Sequence, residues 1–427
     1  MQTYQTIGLV YLAAGTITAL FFAGETLAKK TLAADKLTFS PVLMGLVRLM
    51  MGVLFIYSGF VKANDYIGFA YKLDEYFEVF GVDFPPLEGF FVGMMKPISL
   101  YLAWFLSVLE VALGVAVIVG YRMKMTMWLT LLLMVFFTFL TGYSALPGLD
   151  ISHFTWDKNL MKVTDCGCFG DALPLKPHES FYKDLILMMM TIPLFLTKST
   201  SKPLISNRFG GWLTALTFVK MGVFAYLCHE FLPLIDYRAY AMGIDLQKCS
   251  TTPGPEGVPK CKDYEEVYRI NVAGKNDTIV EKSVKIKEII GKDTVERDST
   301  TQYSVAKWYG QDTEIIDEFK GNTLVIVMYN MDKAPAAEIK RSIDLYNELK
   351  GSGVKVLCMT GAGRDDLDNR YIPDFKMPYQ LSLRDGTMLK TIIRSNPGYM
   401  LLKDGVVVKK WHYNMMPSAG KIKVLLE

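Results

Sequence analysis

Histidine and cysteine are both scarce in this chain, with 4 and 6 copies in 427 residues. Six cysteines are too few for a scaffold held together by disulfides. Lysine and arginine never form a dense block, and the formal net charge is only +3. A basic nucleic-acid footprint is therefore absent, and no nucleic-acid partner is expected. No phosphate-cradling glycine loop with a following lysine occurs, and no Ser/His/Asp arrangement stands out, so nucleotide-enzyme and hydrolase readings lack support. The N-terminus has no basic n-region or small-residue cleavage site ahead of a polar mature chain, so no cleavable signal peptide is expected.

Apolar side chains are abundant, at 51% of the residues, although the C-terminal half is long and polar. The excess is concentrated in about six segments of spanning length: Ile7–Ala23, Pro41–Val61, Pro97–Gly120, Thr126–Tyr143, Leu185–Thr197 with its flanks, and Trp212–Leu232. Basic residues cluster in alternate connections: Lys29, Lys30 and Lys36, then Arg122 and Lys124, then Lys198, Lys202 and Arg208. The positive-inside rule makes those connections cytoplasmic. Both termini, and the acidic stretch with Asp65, Asp74, Glu75, Glu78, Asp83 and Glu88, are then expected as segments on the opposite side. For a bacterial inner membrane this predicts six spans with the N-terminus and the C-terminal domain periplasmic.

A charge inside a membrane helix is costly and marks a candidate site. Arg48, Glu110 and Lys220 fall at similar expected depths, so Glu110 is expected to pair with Arg48, Lys220 or both, either as a lock on the bundle or beside a quinone headgroup. Lys62 lies at the outer end of its helix and is expected to snorkel to the interface.

The stretch Asp165-Cys166-Gly167-Cys168-Phe169-Gly170-Asp171 sits in a polar loop between two apolar segments. Its glycines permit a sharp turn. Two cysteines one residue apart can form a disulfide, share a metal, exchange electrons with another thiol, or simply be small packing residues. The spacing is tighter than the usual zinc pattern, and His153 and His178 flank it without forming a motif, so no metal is assigned. Asp165 and Asp171 would raise the thiol pKa rather than lower it.

After Leu234 the composition becomes polar. Residues 237–312 read as a small strand-rich connector, and Cys249 and Cys261 bracket the turn Thr252-Pro253-Gly254-Pro255. On an oxidising face these two would close a short loop, worth up to about 3 kcal/mol in the loop-entropy picture. Residues 313–427 alternate strand and helix: Thr323–Tyr329, Ala336–Leu349, Val354–Met359, then a hairpin of Tyr399–Leu402 and Val406–Trp411 around an Asp404-Gly405 turn. This order resembles thioredoxin. The resemblance sets Pro397 at that fold's cis-proline and sets Lys333-Ala334-Pro335-Ala336 where C-x-x-C would stand. Both sulfurs are missing there, so the domain is expected to bind rather than react. Cys358 is expected to be an inert residue of a central strand, and Cys228 a packing residue.

Arg48-Leu49-Met50-Met51-Gly52, Tyr57-Ser58-Gly59-Phe60-Val61-Lys62, Asp65-Tyr66-Ile67-Gly68-Phe69-Ala70 and Tyr76 resemble the opening of the DoxX family. Glu110 with Gly114 and Gly120 is similar to its third segment, and Cys166-Gly167-Cys168-Phe169-Gly170-Asp171 is similar to the cysteine motif of the MauE branch. The resemblance covers about residues 42–200. It implies a four-helix membrane core and a redox role for Cys166 and Cys168, with Glu110 and Lys62 in support and a quinone as a possible electron acceptor. The expected architecture is thus a DoxX/MauE-like polytopic helical membrane bundle (1–236), the connector (237–312) and an exported α/β thioredoxin-like domain (313–427). Two functions follow: a thiol–disulfide oxidoreductase acting on exported clients, or a non-enzymatic envelope anchor that docks a partner protein or complex.

Overall fold

A computed structural model describes residues 41–150, 155–156, 160–163, 172–173, 175–196, 202–246, 266–272, 275–279, 295–296, 302–309 and 319–427. The first expected span, at Ile7–Ala23, lies outside the described residues, as do Cys166, Cys168, Cys249 and Cys261. The chain divides into two compact units, Met1–Ile235 and Asp236–Glu427.

In the first unit, α1 (Pro41–Asn64) begins on a proline, whose missing N–H costs nothing in a first turn. The next helix, α2 (Tyr66–Asp83), starts at once, with the Asp65 carboxylate accepting from Gly68 N at 3.1 Å as an N-cap. Tyr66, Phe69, Ala70, Leu73, Tyr76, Phe77 and Phe80 recur at helical spacing and form its buried face. The stretch expected as an acidic connection is therefore largely an amphipathic helix, because its charges occupy only one side. Short 3-10 and π turns over Pro85–Ile98 lead into α3 (Ser99–Val119), which ends on Gly120 at φ 78°, a left-handed cap open to glycine. Then follow α4 (Met123–Ala145), α5 (Pro177–Leu196) and α6 (Asn207–Phe231).

Among the described residues four stretches are long and apolar enough to cross a membrane: Val42–Asn64, Pro85–Val119, Met123–Gly148 and Asn207–Phe231. They indicate a lipid-bilayer environment for this unit. The fifth expected span forms a helix, α5, but it carries Glu179, Lys183 and Asp184 in its first half and Pro193 inside, and is not among the four.

The packing order is α1 on α3, α3 on α6 and α4 on α5. The α1–α3 contact is a small-residue crossing. A Cβ on Gly52 would meet the Gly114 carbonyl oxygen at 2.7 Å, and one on Gly114 would meet the Gly52 oxygen at the same distance. Both clashes are with backbone, so glycine is what lets the two helices approach this closely.

In the second unit a five-stranded mixed sheet is built from β7 (Asn322–Met328), β8 (Lys355–Thr360), β9 (Gln380–Leu383), β10 (Gly398–Lys403) and β11 (Val406–His412), after four earlier strands. Those four, β3 (Glu266–Val272), β4 (Lys275–Ile279), β5 (Val295–Glu296) and β6 (Gln302–Tyr309), make a separate antiparallel sheet in the order β4-β3-β6-β5, while β1 (Leu149–Asp150) and β2 (Thr155–Trp156) pair in the first unit. The five-stranded sheet runs β11-β10-β7-β8-β9, with β7, β8 and β9 parallel and β10 and β11 antiparallel. The β10–β11 hairpin turns on Asp404 (φ 49°) and Gly405 (φ 81°), the paired left-handed conformation that an Asp-Gly turn supplies. Between β7 and β8 lies α7 (Ala336–Leu349), whose Ile339, Ser342, Leu345 and Leu349 are buried. A short helix, α8 (Gly386–Ile392), follows β9, and α9 (Ala419–Leu426) closes the chain. Neither β9 nor α8 nor α9 was anticipated, because each is short and only its packing reveals it. Cys358 lies in β8 with no exposed surface. Burial pushes its thiol up to about 12.

Candidate functional site

The bundle gathers polar side chains toward one end of its helices. Lys62, in the last turn of α1, donates to Glu110 Oε2 of α3 at 2.7 Å and to Ser58 Oγ at 2.9 Å. The side chains of Lys62 and Glu110 are 1% and 5% exposed. The ammonium also sits 4.3 Å from the centre of the Phe137 ring on α4 and 5.7 Å from that of Phe69 on α2. One cation thus ties four helices together, and its counter-charge, hydroxyl and ring partners compensate much of the desolvation.

This pairing replaces the expected one. Glu110 binds Lys62, not Arg48 or Lys220, and Lys62 is buried instead of snorkelling to an interface. The reason lies in the helix ends. Arg48 donates Nε to Val117 O (3.1 Å), Nη2 to Ile118 O (2.9 Å) and Nη1 to Lys202 O (3.0 Å). The guanidinium therefore satisfies orphan carbonyls at the C-terminus of α3, where the helix dipole also favours a cation. Lys220 is exposed on α6. Sequence depth alone did not distinguish these partners.

A quinone headgroup beside the pair would need a free donor. The three N–H vectors of Lys62 are already directed at Glu110, Ser58 and the Phe137 ring, so this place does not fit a quinone carbonyl, and no electron transfer is routed through it.

Asp184 was missed as a buried charge. It is 1% exposed on α5, accepts from Thr141 Oγ1 of α4 at 2.9 Å and pairs with Lys183 at 2.9 Å. Its signal in the sequence was an acid at the start of an apolar run. At the same end of α4, Tyr143 and Lys162 both bond the Asp83 carboxylate, and Lys162 Nζ lies 3.4 Å from the Tyr143 hydroxyl. These two donors hold Asp83 below the usual carboxylate range.

The chain leading to the C-G-C stretch is fixed at this end. Ser144 Oγ donates to Val163 O at 2.6 Å, and Lys162 N donates to Ser144 O at 3.2 Å. Val163 is fully buried, and on the far side of the stretch Ala172 is buried too. Beyond it the Trp156 indole donates to the Tyr182 hydroxyl at 3.1 Å, and its ring stacks on His178 at 5.3 Å. Among the described residues no His/Cys/Asp/Glu group could hold a metal ion.

In the second unit the segment Lys333-Ala334-Pro335-Ala336 follows β7 and runs into the start of α7, with Ala334 buried and Pro335 at the N-cap. The Asn396–Pro397 bond is cis. Asn396 Nδ2 donates to Asn330 O at 2.6 Å and Lys333 N donates to Asn330 Oδ1 at 3.0 Å, so the loop after β7 is tied to the cis-proline turn. The described free cysteines, Cys228 and Cys358, are both buried.

No curated protein and no solved structure matches the chain. Residues 40–152, which contain α1 to α4 and the Lys62–Glu110 pair, match the family model described as Methylamine utilisation protein MauE.

Proposed function

We propose that this chain is an envelope membrane protein that supports thiol–disulfide chemistry in exported proteins, with Cys166 and Cys168 as the exchanging pair. The observation that carries the reading is the position of the motif. Cys166-Gly167-Cys168 follows within a few residues of Val163, which Ser144 fixes to the polar end of helices in the MauE-matched region. In the working direction a client thiolate attacks one sulfur of the Cys166–Cys168 disulfide, and the other sulfur leaves as thiolate. The second client thiolate then resolves the mixed disulfide. The client loses two electrons and gains a disulfide, and the chain gains a dithiol. A second exchange with an oxidised thiol–disulfide partner protein restores the starting state. The chemistry requires an oxidising face, which the basic-residue bias assigns to the periplasmic side of a bacterial inner membrane.

The second unit suits the presentation of a client. Its strand order and the cis bond before Pro397 are compatible with a thioredoxin-like domain, and the segment 333–336 supplies no sulfur, which leaves binding as its contribution. That missing sulfur also favours a second reading, in which the chain is an anchor that holds a partner protein without reacting. Acid-trapped alkylation in intact cells separates the two. The exchange reading expects Cys166 and Cys168 to be oxidised at steady state and reduced in a strain lacking the oxidant. Labelling that is complete before and after reductant would overturn it in favour of the anchor.

A further inference from the structure

Among the four membrane-capable stretches α6 stands apart. Only 17% of its apolar window is buried, against 44 to 61% for the other three. One face is seated on α3: Gly222 lies against the Trp104 ring, and the Trp104 indole donates to Gly222 O at 3.2 Å. The other face is open along the whole helix, with Phe209, Trp212, Leu216, Val223 and Leu227 exposed at helical spacing.

Lys220 is exposed in the middle of that face, and its ammonium has no ion-pair or hydrogen-bond partner among the described residues. It lies about 20 Å from the start of α6 and about 17 Å from its end. Ionisable side chains at such depth face protein and pair with one another, because hydrocarbon solvates them poorly. Lipid would satisfy the apolar side chains of this face but not the ammonium. Its occupant must be apolar, of spanning length, and must bring an acid.

The first forty residues contain such a segment. Ile7–Ala23 is an apolar run of spanning length, and Glu25 just beyond it is the only acid before Asp35. Ile7, Tyr11, Ala14, Thr18, Phe21 and Glu25 follow one another at spacings of three and four, which is one face of a helix. The basic-residue bias directs this run toward the cytoplasm and α6 away from it, so the two would lie antiparallel. Side chains lean toward the N-terminus of their own helix, so Glu25 and Lys220 would lean toward each other. Setting Glu25 one turn below Lys220, level with Leu216, brings Lys29 and Lys30 within about a turn of Arg208 at the same boundary. The 17 residues 24–40 lead to α1, which itself touches α6, and reach up to about 55 Å when extended, so the tether permits this placement. A two-fold contact between α6 helices of two copies would instead oppose two Lys220 ammoniums.

We infer that residues 7–25 pack as an antiparallel helix on the open face of α6, with Glu25 paired to Lys220. The test uses the full chain in nanodiscs. The photo-cross-linker p-benzoylphenylalanine in place of Leu216 is expected to attach to residues 7–25 of the same chain. In place of Leu132, exposed on α4, it is expected to attach to lipid. Cross-links from position 216 to a second copy or to lipid alone, or capture of residues 7–25 from position 132, would overturn the packing. For the pair, Glu25→Gln is expected to lower the Tm by about 2–4 °C, the shift for one ion pair in a unit of this size. The same substitution is expected to have no effect in a Lys220→Met chain. Equal losses in both backgrounds, or none in either, would overturn the pairing. Both substitutions remove a charge from an apolar stretch and so do not oppose membrane insertion. Should Glu25→Gln still fail to fold, the cross-link map, which leaves both charges in place, decides the matter.

Discussion

Replacing Glu110 with leucine leaves Lys62 as a lone ammonium in the bundle interior. The pair is 2.7 Å apart with side chains 1% and 5% exposed, so solvent cannot substitute for the lost carboxylate. Removing one partner of such a pair costs about 3–5 kcal/mol, chiefly the penalty of the stranded charge. Two contacts soften this: Ser58 still accepts from Lys62, and the Phe137 ring at 4.3 Å contributes up to about 2 kcal/mol when desolvated. The expected loss for Glu110→Leu is therefore toward the lower end, about 3 kcal/mol. Removing both charges, as Lys62→Met with Glu110→Leu, takes away the stranded ion and the desolvation together and should return stability to within about 1 kcal/mol of the parent. Unfolding of the purified protein in mixed micelles, run as a double-mutant cycle, measures the coupling. Additive losses, or a single-variant loss below about 1 kcal/mol, would refute the view that the pair is a charge-compensated lock. Thiol exchange measured on the folded double variant adds a separate result: retained activity assigns the pair to architecture, and lost activity in a stable protein assigns it to the chemistry.

Gly114→Leu should separate α1 from α3, because its Cβ would meet the Gly52 oxygen at 2.7 Å and backbone cannot swing aside; a lower Tm and loss of the Lys62–Glu110 coupling are expected. Stability of the second unit should rise as pH increases from about 7 toward the ordinary lysine value of 10.5, since the unfolded chain then holds a proton on Lys410 that the folded one has released, and Lys410→Met should remove that rise in chemical denaturation. At Asp236 burial raises the carboxyl but Arg238 and Lys410 outweigh it and bring it down to about 2, so its stabilising contribution should be present above about pH 4 and fade between 4 and 2, a loss that Asp236→Asn should abolish. Cys358, fully buried with its thiol pushed up to about 12, should resist alkylation in the native protein and react only on unfolding; rapid native labelling would contradict its place in β8.

Composition and periodicity alone determined much of this protein. Apolar runs of spanning length located α1, α3, α4 and α6, because a bilayer demands that length and little else supplies it. The helix Ala336–Leu349 and the Asp404-Gly405 hairpin were equally legible, since each depends on neighbours in sequence. The amphipathic face of α2 was present in the spacing of Tyr66, Phe69, Leu73 and Tyr76 but was hidden behind the acids on its other side. Partnership was different. Arg48, Lys62, Glu110 and Asp184 were all visible as charges near or within apolar segments, yet a charge is satisfied by whatever the packing brings within about 3 Å, and neither depth nor order specifies that. Tertiary structure turned Arg48 into a cap for the end of α3 and gave Glu110 to Lys62. It also joined Asp236 and Arg238, near neighbours in sequence, to the distant Lys410 in one buried cluster. Local patterns fix which segments are helices and strands because the forces involved act along the chain; the pairing of buried charges is decided only where separate elements meet.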